Sequence, residues 1–414
     1  MNNSQTLRRQ SYIINKKVNI FLFYFLGSLI FLPSITFSIL QAEIFPWALL
    51  FTLLYIKKID KGFVFIVLLF LLSVIYGLYI SEGRSSSEAI RSLSAYMNSL
   101  LIFVFLMKAD IRFVSKLYPI VKFLFYFLVI LGLLQLSGLI GFLDPVFKLL
   151  IPRGSAESLA SLGNRGVTLL SSEPSRAAYE FLFIYAAFRT IFLNKKNILY
   201  YDLFVIIFML FVIKSGVGLF LTLIFFALAY KLRFLLLSLI LIVIVFPFLN
   251  YMSGRAFSLL INIISSSSFE SLYYMLLNAS GFRLISIISS FLFGLFHPFG
   301  GGIGNWQESS IVALQLTGYS PDSIDYFRYA GGVWVPIRPT SYFFALVLDI
   351  GLIPAFIVFL YLLKVSKFKL LSSFVGMLFI FYFLFIGAVG NPVPFVATAL
   401  TLRYLMDLKR NNKT

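Results

Sequence analysis

The sequence predicts an all-α fold: a polytopic membrane helical bundle with about twelve transmembrane helices and a large extracytoplasmic loop containing short helices. Three observations predict it. Of 414 residues, 60% are hydrophobic and 12% charged, more apolar side chain than a soluble domain of this length can bury. Apolar runs of spanning length alternate with polar loops, and every second loop carries a lysine cluster, as cytoplasmic loops do. The 50 phenylalanines and 23 tyrosines suit lipid contact and interfacial belts. Residues 1–414 read as a single integral membrane domain with both ends cytoplasmic.

In order, residues 1–17 are polar and basic (Arg8, Arg9, Lys16, Lys17) and run straight into an apolar stretch at 18–32, an uncleaved anchor. A second span covers 36–56 and carries Glu43 and the Pro46-Trp47 pair; Lys57, Lys58 and Lys61 mark its inner end. Spans at 62–80 and 89–107 enclose the short outer loop 81–88, and 108–116 is basic and inner. The span at 119–140 leads to 141–172, the first larger outer loop, whose LDPVFKLLIP stretch reads as a short interfacial helix. Spans at 173–193, 198–213, 219–230 and 235–249 follow, with Lys195, Lys196, Lys231 and Arg233 inside. Residues 251–340 form the large outer loop, where apolar helical stretches at 256–264, 269–277 and 282–296 alternate with Ser and Gly breaks. Spans at 341–363, 370–386 and 395–405 complete the bundle around the inner KVSKFK loop and the GNPVP turn. No internal repeat with matching motifs supports an inverted-repeat transporter.

In such a chain the net charge of +18 belongs to loop lysines and calls for no nucleic-acid partner. With no cysteine there is no disulfide, thiolate metal site or cysteine nucleophile, and a single histidine argues against zinc. The outer segments select arginine instead: Arg84, Arg153, Arg165, Arg255, Arg283, Arg328 and Arg338. The positive-inside rule does not explain that choice. A guanidinium stays charged and grips phosphate or carboxylate at two points.

The stretch NRGVTLLSSEPSRAAY, 164–179, ends the first outer loop and begins a long apolar helix. Ser171 or Ser172 can cap that helix, and Pro174 fits its first turn. Glu173 and Arg176, three apart, share one face of the turn. A helix N-terminus with Arg176 inside it and Arg165 just before it suits an anion such as pyrophosphate, and Glu173 beside it could act as a base. The plainer alternative is a capped helix with an interfacial ion pair. His297, the sole imidazole, is a second candidate base or a hydrogen-bonded turn residue. It opens the glycine-rich stretch HPFGGGIGNW, 297–306, which lacks the Lys-Ser/Thr of a nucleotide loop and reads as a turn able to contact sugar or diphosphate. Asp349 inside a span predicts a partner or a function, and Glu43 invites the same reading. Arg189 and Asp202, near inner boundaries, read as snorkelling anchors.

Three blocks in order over roughly 160–365, NRGVTLLSSEPSRAAYEFLF, FRLISIISSFLFGLFHPFGGGIGNW and RPTSYFFALVLDIGLIPAFIVFLYLL, resemble the Wzy-type O-antigen or capsule repeat-unit polymerases of the O-antigen polymerase/ligase superfamily. The resemblance implies a glycosyltransferase of the bacterial cytoplasmic membrane, active on its periplasmic or extracellular side. It would join oligosaccharide repeat units carried on undecaprenyl diphosphate, with no metal or nucleotide cofactor. Implied partners are the lipid-linked glycan, the bilayer, a chain-length regulator and a flippase. Arg165, Arg176, Arg255, Arg283 and Arg338 would bind diphosphate or glycan, with Glu173 first and His297 second as candidate base. The ligase branch tends to a His-Asn-type pattern where this chain has Arg338-Pro339-Thr340-Ser341, which favours polymerase. The alternatives are a ligase-type glycan transferase and a lipid-linked sugar flippase or transporter.

Overall fold

The computed structural model describes residues 20–31, 35–37, 42–44, 47–56, 59–81, 86–150, 166–230, 268, 277–278 and 281–411. The first apolar run is helical over Ile20–Leu29 (α1). The expected second span is not one helix. Its first part is a short hairpin, Ile35–Phe37 (β1) antiparallel to Ala42–Ile44 (β2), with Thr36 opposite Glu43. Its last part is helical over Trp47–Tyr55 (α2). Glu43 therefore lies on a strand outside the helix.

Next come Lys61–Ile80 (α3), Ser86–Lys108 (α4) and Ile111–Leu136 (α5). The short helix expected in LDPVFKLLIP is present as Asp144–Leu150 (α6). Pro174–Phe192 (α7), Lys195–Ile213 (α8) and Gly216–Tyr230 (α9) follow. Beyond them are Arg283–Phe296 (α10), Trp306–Gln315 (α11), Tyr342–Ile350 (α12), Leu352–Val365 (α13), Phe374–Phe385 (α14) and Val393–Asn411 (α15). Among the described residues, α3, α4, α5 and α8 are long and apolar enough to cross a membrane, and α1, α9, α10, α13 and α14 are shorter apolar helices. The α3 side chains Phe65, Leu68, Leu72, Ile75 and Tyr79 all face outward, an apolar surface that suits lipid and not water.

α7 is the central pillar. Every residue from Ala177 to Phe188 is buried, and the helix packs against α15, α5 and α9. At one end of the bundle Lys108 pairs with Asp60, which also accepts a 2.7 Å hydrogen bond from the Tyr361 hydroxyl. Arg403 donates to the Ala109 carbonyl at 2.7 Å at the same level. These contacts gather the lysine-bearing helix ends together. At the opposite end Gly304 lies against Ala89, and midway along α4 Asn98 donates to the Gly390 carbonyl at 3.1 Å.

α10 and α11 form a hairpin whose turn lies at this second end, against α3 and α4. α10 runs in the same direction as α12: Phe291 faces Phe344 and Gly294 abuts Val347. It buries Ser286, Ser289 and Ser290 and exposes Phe291, Leu295 and Phe296. The glycine-rich turn then wedges between α3 and α12. Gly301 and Gly302 N–H groups donate to the carbonyls of Leu348 and Asp349, both at 2.9 Å, and Ile303 N–H donates to Ser73 O at 3.2 Å. A Cβ on Gly302 would stand 2.3 Å from Gly77 Cα. Close backbone packing explains these glycines. Gly300 to Asn305 are buried and the amides of Gly301, Gly302 and Ile303 are already engaged, so these N–H groups are not open to a sugar or diphosphate.

Arg189 and Asp202 do not snorkel apart. They pair at 3.0 Å, with Asp202 2% exposed and also accepting from the hydroxyls of Tyr185 and Tyr230. The guanidinium lies over the rings of Phe225, Tyr230 and Phe374. A carboxylate this deep needs its charge matched.

Candidate functional site

The helix expected after the first outer loop starts where its sequence directs. Pro174 is the first helical residue and Glu173 stands at the N-cap, extended at φ −147° and ψ 147°. Neither Ser171 nor Ser172 caps it, and Glu173 makes no side-chain cap either. Pro174 carries no N–H, while the N–H groups of Arg176 and Ala177 already bond to Glu173 O at 3.1 and 3.0 Å. What this end offers an anion is thus chiefly the helix dipole and side-chain charge, not a ring of N–H groups.

That side-chain charge arrives from two places. Arg176 lies half-buried in the first turn of α7. Arg283 begins α10 and donates from Nη2 to Ser175 Oγ at 3.3 Å. Ser175 Oγ in turn donates to Glu173 Oε2 at 3.3 Å. Glu173, Ser175 and Arg283 therefore converge where the N-terminal ends of α7 and α10 meet, with Arg176 the next residue along α7. All four are partly exposed, so the cluster is reachable from outside the bundle. Chemically it links a carboxylate to the Arg283 guanidinium through one hydroxyl, with a second arginine in the same first turn of α7. This arrangement can hold a doubly charged anion and accept a proton next to it.

Arg338 and His297 stand elsewhere. Arg338 donates to Asp349 Oδ2 at 2.6 Å and to the Tyr96 hydroxyl at 3.2 Å, and its guanidinium lies over the Tyr96 and Trp306 rings. Asp349 is fully buried and also accepts from Tyr96 at 2.7 Å. The partner expected for an acid inside a span is thus Arg338, whose charge is balanced within the protein instead of being left for a ligand. His297 is exposed at the far end of α10, about 20 Å from Arg283 at the rise of an α-helix. The structure does not bring it to the Glu173 cluster. Arg165 and Arg255 lie outside the described residues.

Sequence reasoning missed Ser175, Tyr96, Glu180 and Asn391. Glu180 accepts from Ser171 Oγ and, at 2.5 Å, from Asn391 Nδ2. An acid in the apolar run RAAYEFLF carries the same signal that singled out Asp349, and could have been read the same way. Ser175, Tyr96 and Asn391 carry no such signal, since only the packing of distant helices gives them partners. Among the described residues no group of three or more His, Cys, Asp or Glu side chains is placed to hold a metal ion. Comparison with protein-family models, with curated proteins and with solved structures finds no match for this chain.

Proposed function

We propose that this chain polymerises oligosaccharide repeat units carried on a polyprenyl diphosphate, as the resemblance to Wzy-type polymerases implies. In this reading about twelve spans cross the bacterial cytoplasmic membrane, and the lysine-rich end of the bundle is cytosolic. The end bearing Glu173 and Arg283 then faces the periplasm or cell exterior. The observation that carries the reading is the Arg283–Ser175–Glu173 contact, which joins the two arginine-bearing blocks into one cluster.

The chemistry follows from that cluster. The acceptor sugar hydroxyl attacks the anomeric carbon of the growing chain. A new C–O bond forms as the bond to the diphosphate breaks, and the lipid diphosphate leaves with the electron pair. Arg283 and Arg176 offset the charge that builds on the leaving group, aided by the α7 dipole. Glu173 takes the hydroxyl proton. Arg338, already matched by Asp349, takes no part in the clamp, and His297 stands too far along α10 to serve as the base.

The test is the glycan profile of cells lacking the chain, complemented with wild type and with Arg283→Ala. A polymerase leaves single repeat units attached to their final carrier when it is missing. Unattached long polymer would indicate ligation instead, and lipid-linked units trapped inside the cell would indicate flipping.

A further inference from the structure

Glu180 is 4% exposed and lies two turns inside the central helix. A carboxylate at that depth is costly, and nothing in helix formation requires it. Its oxygens serve two segments that are remote in sequence. Oε2 accepts from the hydroxyl of Ser171, the second residue before the α7 N-cap. Oε1 accepts from Asn391 Nδ2, while Asn391 Oδ1 accepts from Val393 N–H at 3.0 Å at the start of α15. Ser171 and Asn391 are themselves buried.

The chain just before Ser171 is held with equal care. Gln135 of α5 brackets Leu169, accepting from its N–H at 2.8 Å and donating to its carbonyl at 3.1 Å. Val167 N–H donates to Val212 O at 3.1 Å. Leu169 has φ +51°, a left-handed conformation that a leucine adopts only when its surroundings impose it. Residues 167–171 are thus pinned to α5, α7 and α8 at a backbone cost, and Glu173 follows two residues later.

We infer that Glu180 and Asn391 are positioning residues: through Ser171 they set where Glu173 and Ser175 stand relative to Arg283. The assignment of a catalytic purpose to that placement rests on the polymerase reading; the placement itself does not. Geometry, not charge, is what Glu180 supplies. A glutamine there can still accept from Asn391 and donate to the Ser171 oxygen, whereas alanine can do neither.

The chain has no cysteine, so one introduced thiol reports on one position. Full-length Ser175→Cys protein in native membranes is labelled with a maleimide, alone and combined with Glu180→Ala, Asn391→Ala or Glu180→Gln. Tyr329→Cys, on a residue 84% exposed, serves as the control. Labelling at position 175 should rise about threefold or more with Glu180→Ala and with Asn391→Ala, and stay within about twofold with Glu180→Gln, as local opening controls the rate. The control should not change. An unaltered rate at 175 in both alanine variants overturns the inference, as does a Glu180→Gln effect as large as that of alanine.

Chain extension from purified lipid-linked repeat unit is measured in the same membranes, without the thiol. Both alanine variants should lower turnover about tenfold or more at similar KM, with Glu180→Gln retaining most of it. Wild-type extension in Glu180→Ala also overturns the inference. If labelling responds as expected but wild-type membranes extend no chain, the polymerase reading fails and the positioning role stands.

Discussion

Arg283 and Ser175 are 108 residues apart in the chain and meet at 3.3 Å. The contact joins the first turn of the central helix to the first turn of the α10–α11 hairpin. It places a guanidinium one hydroxyl away from Glu173. Two blocks that are separate motifs in the sequence thereby meet in one polar cluster.

Arg283→Ala should leave the protein inserted and lose long chains. Removing one charge-stabilising donor typically lowers turnover about 100–1000-fold. Arg283→Lys keeps the charge but not the two-point grip, and should recover only part of the rate. The measurement is polymer length on a gel alongside the amount of protein in the membrane. Wild-type length in Arg283→Ala removes this residue from the mechanism.

Glu173→Gln separates base from bystander. Because Glu173 makes no side-chain cap, loss of its charge should hardly disturb α7. Turnover should nevertheless fall about 100-fold or more if the carboxylate takes the acceptor proton. Initial rates with saturating lipid-linked unit decide it, and a rate near wild type leaves the proton to another group.

His297→Ala should give chains of normal length, within about twofold in rate. The α10 helix carries residue 297 roughly 20 Å from the Arg283 end. A large loss of polymer would mean that the tip of the hairpin moves during the reaction.

Much of this architecture could be read before any coordinates. Pro174 and Arg283 start helices where the pattern of breakers and apolar runs puts them, and the acid at 349 has the partner that its depth demands. What could not be read is lateral. Nothing in the run around Ser175 indicates Arg283, and nothing in GNPVP indicates that Asn391 reaches Glu180, because both contacts arise between helices far apart in the chain. The second span failed for a local reason. Apolar composition alone does not distinguish a strand from a helix over so short a stretch. The glycine-rich turn was legible as a turn but not as a wedge, since only the approach of α3 and α12 consumes its amides.

Asp349→Ala strands the Arg338 guanidinium in a largely buried place. Breaking a buried pair from one side costs about 3–5 kcal/mol, because the remaining charge has no match. The variant should therefore unfold at clearly lower temperature in detergent. Replacing Arg338 and Asp349 together by apolar residues of similar volume should recover much of that loss. If the double variant is as unstable as the sum of the two single variants, the pair is not acting as a matched charge.

The Asp60–Lys108 contact at the other end of the bundle gives a pH signature. The hydrogen bond from Lys108, helped by that from Tyr361, holds the Asp60 carboxyl below the usual carboxylate range. A carboxyl whose folded value is depressed stabilises the fold fully above its unfolded value, about 3.9. That contribution is lost as pH falls through the folded value. Both side chains are partly exposed, so the pair contributes about 1 kcal/mol at most. Thermal unfolding of wild type and Asp60→Asn in the same detergent should differ by a constant small amount from neutral pH down to about 4 and converge below it. A gap that instead widens on acidification would reverse the sign and show that Asp60 is better held in its protonated form.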